Sequence, residues 1–426
     1  MDDIEFLQLF TSSLYIAALV ASFVASRGCT VLGRKPTIQT ASIFFIIGVA
    51  LRAGGTNILM LVFGRIILGF ANQAVPLFLS ELAPARMRGA LNICFQLFIT
   101  IGILVAGIIN YFTSDVHPHG WRISLGLAGV PALFLLFGSL TICETPTSLI
   151  AHGKNKEGKA ILVKDPFKKL MKPSSRPPLV IAILLQIFQQ FIGINAIMFY
   201  APVLFQTVGF GSSAALLSTV ITGLVNVLST GVSIYAVDRA GRKVLLLESC
   251  VQMFITQVVI GVILMIDLKP TGALNGKEAW VVVILVCAYV MAFAWSWGPL
   301  GWLIPSETFP LETRTAFAWS WGPLGWLIPS ETFPLETRAA GFAFAVSSNM
   351  LCTFLIAQAF LSMLCHMKAG IFFFFAGWIL VMGIFALFFI PETKGIPIDS
   401  MVEIWKKHWF WKRFMTEEDE DDKVHQ

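Results

Sequence analysis

The sequence predicts an all-α membrane protein built from two pseudo-symmetric helical halves. Three observations carry this. The 426 residues are 56% hydrophobic and only 13% charged, too little charge for a soluble domain of this size. Apolar runs of about 20 residues recur along the chain, each able to cross a hydrocarbon core about 30 Å thick. A set of marks also comes round twice in the same order. Gly33-Arg34-Lys35 is echoed by Gly241-Arg242-Lys243, and Glu144-Thr145 by Glu392-Thr393. Between them the form S-E-x-x-P-x-x-x-R starts at Ser80 in the first half, and at Ser306 and again at Ser330 in the second. Parallel repeats of membrane helices build transporters. The ten-residue alternation of an outer-membrane barrel is absent.

The expected spans of the first half are 8–26, 38–55, 57–80, 91–112 and 121–143. A polar stretch, 144–178, follows, in which Lys154 to Arg176 outnumber Glu144, Glu157 and Asp165. Basic loops stay in the cytosol, so this loop is expected there, with the loops holding Arg34-Lys35, Arg86 and Arg239 to Lys243. The second-half spans are 179–206, 213–237, 244–267, 280–304, 340–365 and 369–390. Lys406-Lys407 and Lys412-Arg413, interleaved with Trp405, Trp409 and Trp411, suit an interfacial helix on the cytosolic side. Acidic residues from Glu417 to Asp422 read as a solvated tail. The expected domains are an N-terminal half 1–143, a cytosolic loop 144–178, a C-terminal half 179–396 and a tail 397–426. Five spans precede the loop and six follow it. Since repeats match, a first span is expected to be missing, and the five present are taken as the second to sixth of a six-helix half.

The net charge of +5 is spent on membrane orientation, so no nucleic-acid partner is expected. The start, Met1-Asp2-Asp3, is acidic and unlike a cleavable signal. Seven cysteines show neither metal spacing nor a disulfide framework. No metal or cofactor is expected, and no nucleophile–base pair suggests an enzyme.

The third signature copy belongs to a local duplication. Ala292–Arg314 reappears residue for residue as Ala316–Arg338. Glu81 and Glu144 stand 63 positions apart, Glu331 and Glu392 stand 61 apart, and Glu307 and Glu392 stand 85 apart. The downstream copy is therefore in register with the repeat. The extra apolar stretch, 315–329, would span about 22 Å as a helix, short of the core. A re-entrant or surface-lying insert over 315–338 is expected.

Gln186, Gln189, Gln190 and Gly193 fall at i, i+3, i+4 and i+7, one helical stripe. Asn195 lies off that stripe unless the helix kinks or unwinds near Gly193. Amides at membrane depth are costly unless they face other helices or water. They donate and accept at once, which suits the hydroxyls of a neutral polyol. Gln96, Asn226, and the pair Asn349 and Thr353, four apart on one face, could line the same cavity. Singly, each reads as interhelical glue. Trp302, beside Gly298, Pro299 and Gly301, offers an aromatic face and an N–H to a sugar ring. Trp295 and Trp297 read as packing or anchoring. Arg65 sits well inside its span, with no Asp or Glu in any span interior to pair with it. It is expected to stand without a partner, its carboxylate having been on the missing span.

Gln189-Gln190-x-x-Gly193-x-Asn195, Gly298-Pro299-x-Gly301-Trp302, Gly33-Arg34-Lys35 and Pro391-Glu392-Thr393-Lys394-Gly395 resemble the sugar porters of the major facilitator superfamily. More narrowly, the chain looks like the plant sugar transport proteins, the hexose carriers that act as monosaccharide–proton symporters. That resemblance implies the major facilitator fold and alternating access to a central sugar site. It implies sugar contacts from Gln96, Gln189, Gln190, Asn195, Asn226, Asn349, Thr353 and Trp302. Arg65 would pair with a proton-carrying aspartate of the first helix. Arg34, Glu81, Arg88, Glu144, Arg242, Glu307 or Glu331, and Glu392 would form a cytosolic gate. Cys365 would bond a cysteine in a lid between the first two helices. The implied partners are a monosaccharide, protons and the lipid bilayer, for a monomeric, multi-pass protein of the plasma membrane. Without the first helix, proton coupling is expected to suffer. A non-transporting relic, sugar sensor or assembly partner, and a passive polyol facilitator, are the competing readings.

Overall fold

The computed structural model describes residues 10, 12–24, 34–71, 88–116, 118–141, 176–195, 197–198, 212–267, 276–300, 338–391 and 407–414. Among them there are helices and connecting turns and no strand. The N-terminal half holds α1 (Ser12–Val24), α2 (Arg34–Ala53), α3 (Ile58–Ala71) and α4 (Arg88–Thr113). Its last span is made of α5 (Gly120–Leu127) and α6 (Gly129–Thr141), parted at Ala128 just before Pro131. Proline has no N–H and is tolerated in a first helical turn, which is where Pro131 stands in α6. The C-terminal half holds α7 (Arg176–Phe191), α8 (Ser212–Ala240), α9 (Arg242–Asp267), α10 (Gly276–Trp295), α11 (Arg338–Met367) and α12 (Gly370–Phe389). A 3₁₀ turn, Trp411–Phe414, closes the described chain.

Eleven expected spans therefore correspond to eleven helical segments among the described residues. Seven segments are long and apolar enough to cross a membrane, and the other four hold shorter apolar stretches, Ser12–Val24, Ile58–Phe70, Leu179–Phe191 and Val346–Phe360. The ends of the spans expected at 57–80, 179–206 and 280–304 lie outside the described residues, as does the insert 315–338.

The halves meet along two seams. On one, α1 crosses α11. Ser22 and Ser347 share a 2.7 Å hydrogen bond, Ser12 Oγ donates to Gln358 Oε1 at 2.7 Å, and Phe23 meets Phe344 edge-on. On the other, α4 lies along α8, where Gly107 and Gly223 let the helices approach Val220 and Leu104. Small and hydroxyl residues do this in membranes because lipid tails compete equally for apolar contact, leaving close packing and hydrogen bonds as the glue.

The two Gly-Arg-Lys marks do the same thing twice. Lys35 Nζ donates to the carbonyl of Leu140, at the end of α6 (3.0 Å). Lys243 Nζ donates to the carbonyl of Leu387, at the end of α12 (2.7 Å). In each half the lysine following the turn caps the last helix of that half, where unsatisfied carbonyls and the negative end of the helix dipole favour a cation.

Of the tail, residues 407–414 are described: Lys407 is helical, 408–410 turn, and 411–414 form the 3₁₀ turn, docked on the end of α12. The rest of the expected interfacial helix lies outside the described residues. Trp409 Nε1 donates to Phe388 O at 3.1 Å and Trp411 Nε1 to Phe389 O at 2.9 Å. With Lys243, these indoles satisfy three successive end carbonyls of one helix. His408 Nδ1 accepts the backbone N–H groups of Phe410 and Trp411. Burial, then the nearby Lys243 charge, lower the His408 pKa from its usual value, while the Phe388 carbonyl acts the other way. Trp405 lies outside the described residues.

Candidate functional site

The site is built on a helix that stops in the membrane. α7 places Gln186, Gln189 and Gln190 on its buried face. It ends at Phe191 because Gly193 takes φ +84°, a left-handed conformation that side chains disfavour. Space forbids a side chain there as well. A Cβ on Gly193 would sit 2.7 Å from the Phe375 ring of α12. The Gly193 N–H bonds back to Gln190 O at 3.0 Å, and helical bonding resumes when Ile197 N–H reaches Gly193 O at 3.0 Å. The break brings Asn195 back onto the stripe, where its Nδ2 donates to Gln190 Oε1 at 2.6 Å. The unwinding expected near Gly193 is present.

Asn349 of α11 ties the stripe to a second helix. Its Nδ2 donates to Gln186 Oε1 at 2.7 Å and to Gln189 Oε1 at 3.2 Å. Thr353 spends its hydroxyl on the Asn349 carbonyl at 2.8 Å. Gln189 Nε2 donates to the carbonyls of Trp297 and Gly298, at 3.1 and 3.3 Å. Those carbonyls lie beside Pro299, which breaks helical bonding locally. Pro299 has no N–H for the carbonyl of Trp295, and Ser233 Oγ of α8 donates to that carbonyl at 2.8 Å in its place. Gln96 joins from the N-terminal half. Its Nε2 lies 3.6 Å from where a Cβ on Gly298 would sit.

Asn226 of α8 stands somewhat apart. Among the described residues its Nδ2 makes only a 3.9 Å contact with Met198 Sδ, and its buried Oδ1 has no hydrogen-bond partner. Trp302 lies outside the described residues. Trp295 and Trp297 are structural, as expected. The indole of Trp297 is fully buried and donates to Cys250 Sγ at 3.2 Å.

Two expectations about charge are corrected. Arg65 has partners. Its Nη1 donates to the Phe10 carbonyl at 2.6 Å, and its guanidinium lies 4.2 Å from the centre of the Phe10 ring. A backbone carbonyl and an aromatic face have supplied the polar contact that the sequence was searched for among carboxylates. Arg52 is close enough to Arg65 for the two charges to repel. The second correction is that an acid does lie within a span. Glu248, six residues into α9, accepts a hydrogen bond from Trp295 Nε1 at 3.1 Å. It was missed because it follows the basic end of the helix so closely.

Of the residues expected to form a gate, Arg242 is buried at the start of α9. Arg34 and Arg88 begin α2 and α4. Their side chains, with Glu81, Glu144, Glu307, Glu331 and Glu392, lie outside the described residues. Cys365 is a free, exposed thiol near the end of α11.

The family described as "Sugar (and other) transporter" matches residues 5–316 and 315–405. Sugar transport protein 8 of Arabidopsis thaliana is 64% identical, over 99% of this chain and 84% of its own length. Sugar transport protein MST4 of Oryza sativa subsp. japonica is 54% identical, over 99% and 83%. Among solved structures, the proton:xylose symporter XylE bound to 6-bromo-6-deoxy-D-glucose is 25% identical, with a TM-score of 0.73, over 94% of this chain and 89% of its own. A partially occluded inward-open form of XylE from E. coli gives 0.71 at 25% identity, over 92% and 89%.

Proposed function

Because the chain belongs to the Sugar (and other) transporter family, we propose that it carries monosaccharides across a membrane by alternating access, with the broken α7 as its sugar site. One observation carries this reading. Amide side chains from α7 and α11 are gathered between the helices, with Gln96 close by, and no charged group is described among them. Each sugar hydroxyl is donor and acceptor together, and so is each amide. Among the described residues Asn226 Oδ1 is a buried acceptor without a partner, a condition that costs about 1–3 kcal/mol. An entering hydroxyl would relieve it. The ligand set is Gln96, Gln189, Gln190, Asn195, Asn226, Asn349, Thr353 and Trp302. The halves 1–143 and 179–396 rock about it, joined on the cytosolic side by 144–178, in a plasma-membrane monomer.

Coupling to protons is the finer part of the reading. A guanidinium does not release its proton in the working range. It can hold a nearby carboxylate ionised until conformation or sugar alters the surroundings. Arg65 takes that role toward the first-helix aspartate that the sequence resemblance implies, and without that helix coupling suffers; XylE is named as a proton symporter. Arg34, Glu81, Arg88, Glu144, Arg242, Glu307 or Glu331, and Glu392 form the cytosolic gate.

The test uses the full chain in proteoliposomes preloaded with unlabelled hexose. Entry of labelled hexose by exchange is expected, and Gln190→Ala and Asn195→Ala should each weaken sugar binding by about tenfold or more, the effect of a lost buried hydrogen bond. Unchanged sugar-quenched Trp fluorescence in both variants would place the site elsewhere. A pH gradient added to the same vesicles reads the coupling separately.

A further inference from the structure

We propose that Tyr289 is a positioning residue for transport, acting through the break in α7. Its hydroxyl fixes the Ile192 carbonyl and thereby holds Gln190 and Asn195 in their paired geometry. This rests on the reading that those two amides bind the sugar.

A helix that stops in the membrane leaves carbonyls without donors, and hydrocarbon supplies none. Ile192 stands at that point, between the last residue of α7 and Gly193. Tyr289 of α10 is fully buried, and its hydroxyl donates to Ile192 O at 2.6 Å. The break is thus clamped from two sides. Phe375 of α12 occupies the space beside Gly193, and α10 supplies the hydrogen bond. Gln190 and Asn195 straddle the clamped residue. Gln190 O accepts the Gly193 N–H at 3.0 Å, and Gln190 Oε1 accepts from Asn195 at 2.6 Å. A shift of Ile192 therefore alters the distance between the two amides.

The hydroxyl also has a second neighbour. Gln257 of α9 is fully buried and its amide sits beside the Tyr289 oxygen, which could accept from it. Neither of its amide atoms completes a hydrogen bond among the described residues. A phenol has one proton to give, and the geometry gives it to Ile192.

The test compares Tyr289→Phe, Gln257→Leu, Asn195→Ala and Tyr289→Phe/Asn195→Ala in the full chain, with exchange rates normalised to the protein in the vesicles. Tyr289→Phe is expected to raise KM for hexose about five-fold, as one lost buried hydrogen bond does, with Vmax within two-fold. Gln257→Leu is expected to leave KM within about two-fold, and the double variant to bind no worse than Asn195→Ala, as residues acting through one element do not add. Additive effects would overturn the proposal. So would a loss of protein and Vmax at unchanged KM, an unaltered Tyr289→Phe, or a Gln257→Leu as damaging as Tyr289→Phe. If Asn195→Ala itself leaves KM unchanged, the sugar site falls and this role falls with it. If Asn195→Ala is impaired and Tyr289→Phe is not, only the role of Tyr289 falls.

Discussion

The two halves carry the same marks but are held together differently. In the N-terminal half the helices touch through glycine. A Cβ on Gly48 would meet Leu68 at 2.8 Å and the Gly64 carbonyl at 2.9 Å. One on Gly69 would meet the Leu14 carbonyl at 2.6 Å and Ala17 Cβ at 2.7 Å. In the C-terminal half they touch through rings and hydrogen bonds. Phe188 packs on Phe385, Phe191 on Trp378 and Phe360 on Phe375, while Ser249 joins Ser296 at 2.9 Å. The main buried core follows this division, running through α7 to α12 with Ala18 its only fully buried member from the first half. Close backbone approach favours sliding as rigid bodies, whereas aromatic and amide networks fix side chains in place. The half that holds the proposed sugar ligands, Gln96 excepted, is the half with the specified interior.

The largest expected effect tests the specified half. Gly193→Ala forces φ +84° on a residue that resists it and drives a methyl into Phe375. Strain of about 1–3 kcal/mol, with a similar cost for overpacking, should abolish sugar binding and lower the thermal midpoint of the purified protein. Retained binding would show that the break is not needed.

Glycine packing is tested next. Gly69→Ala is expected to cost about 1–3 kcal/mol through overpacking. Gly102→Ala, Gly138→Ala and Gly231→Ala, where a Cβ meets nothing within 4 Å, should be neutral or stabilising by up to about 1 kcal/mol. Equal melting shifts for all four would erase the distinction between close-packed and open glycines.

A smaller effect is expected from pH. His408 accepts two backbone N–H groups in its neutral form, and its pKa in the docked tail is lowered. Its contribution to docking is therefore full above about pH 6.5, the free value. It declines as pH falls below that and is lost once pH passes the lowered value. Proteolysis at the tail should quicken over that window, and His408→Phe should remove the pH dependence.

The smallest effect tests the repeat itself. Lys35→Met and Lys243→Met each remove one helix-end cation, worth about 0.3–1 kcal/mol. Lys243→Met should be the more damaging, because three side chains share the end of α12. A larger loss at Lys35 would reverse the comparison.

The helices and the amide stripe were legible because both are periodic. The Gly193 break was legible too, since one glycine beside an off-stripe asparagine asks for it. What each amide would bond to was not. Gln189 gives its N–H groups to the carbonyls of Trp297 and Gly298, 108 and 109 residues away, and no local pattern encodes that choice. Arg65 was misread for the same reason, because a backbone carbonyl is present at every residue and leaves no mark in sequence. Glu248 was hidden by its nearness to Arg242. The docking of the tail was not legible either, because the carbonyls of Phe388 and Phe389 that receive Trp409 and Trp411 leave no mark in sequence.

The docked tail also bears on synthesis. Trp409 and Trp411 are made after every helix, and their partners, the carbonyls of Phe388 and Phe389, belong to the last helix to be inserted. Lys243, made some 140 residues earlier, reaches the adjoining carbonyl only if α9 has already found α12. Trp411 is also buried in the core that α7 to α12 build together, so it can seat fully only on a C-terminal half that is assembled. Seating of the tail is a local report of completed assembly.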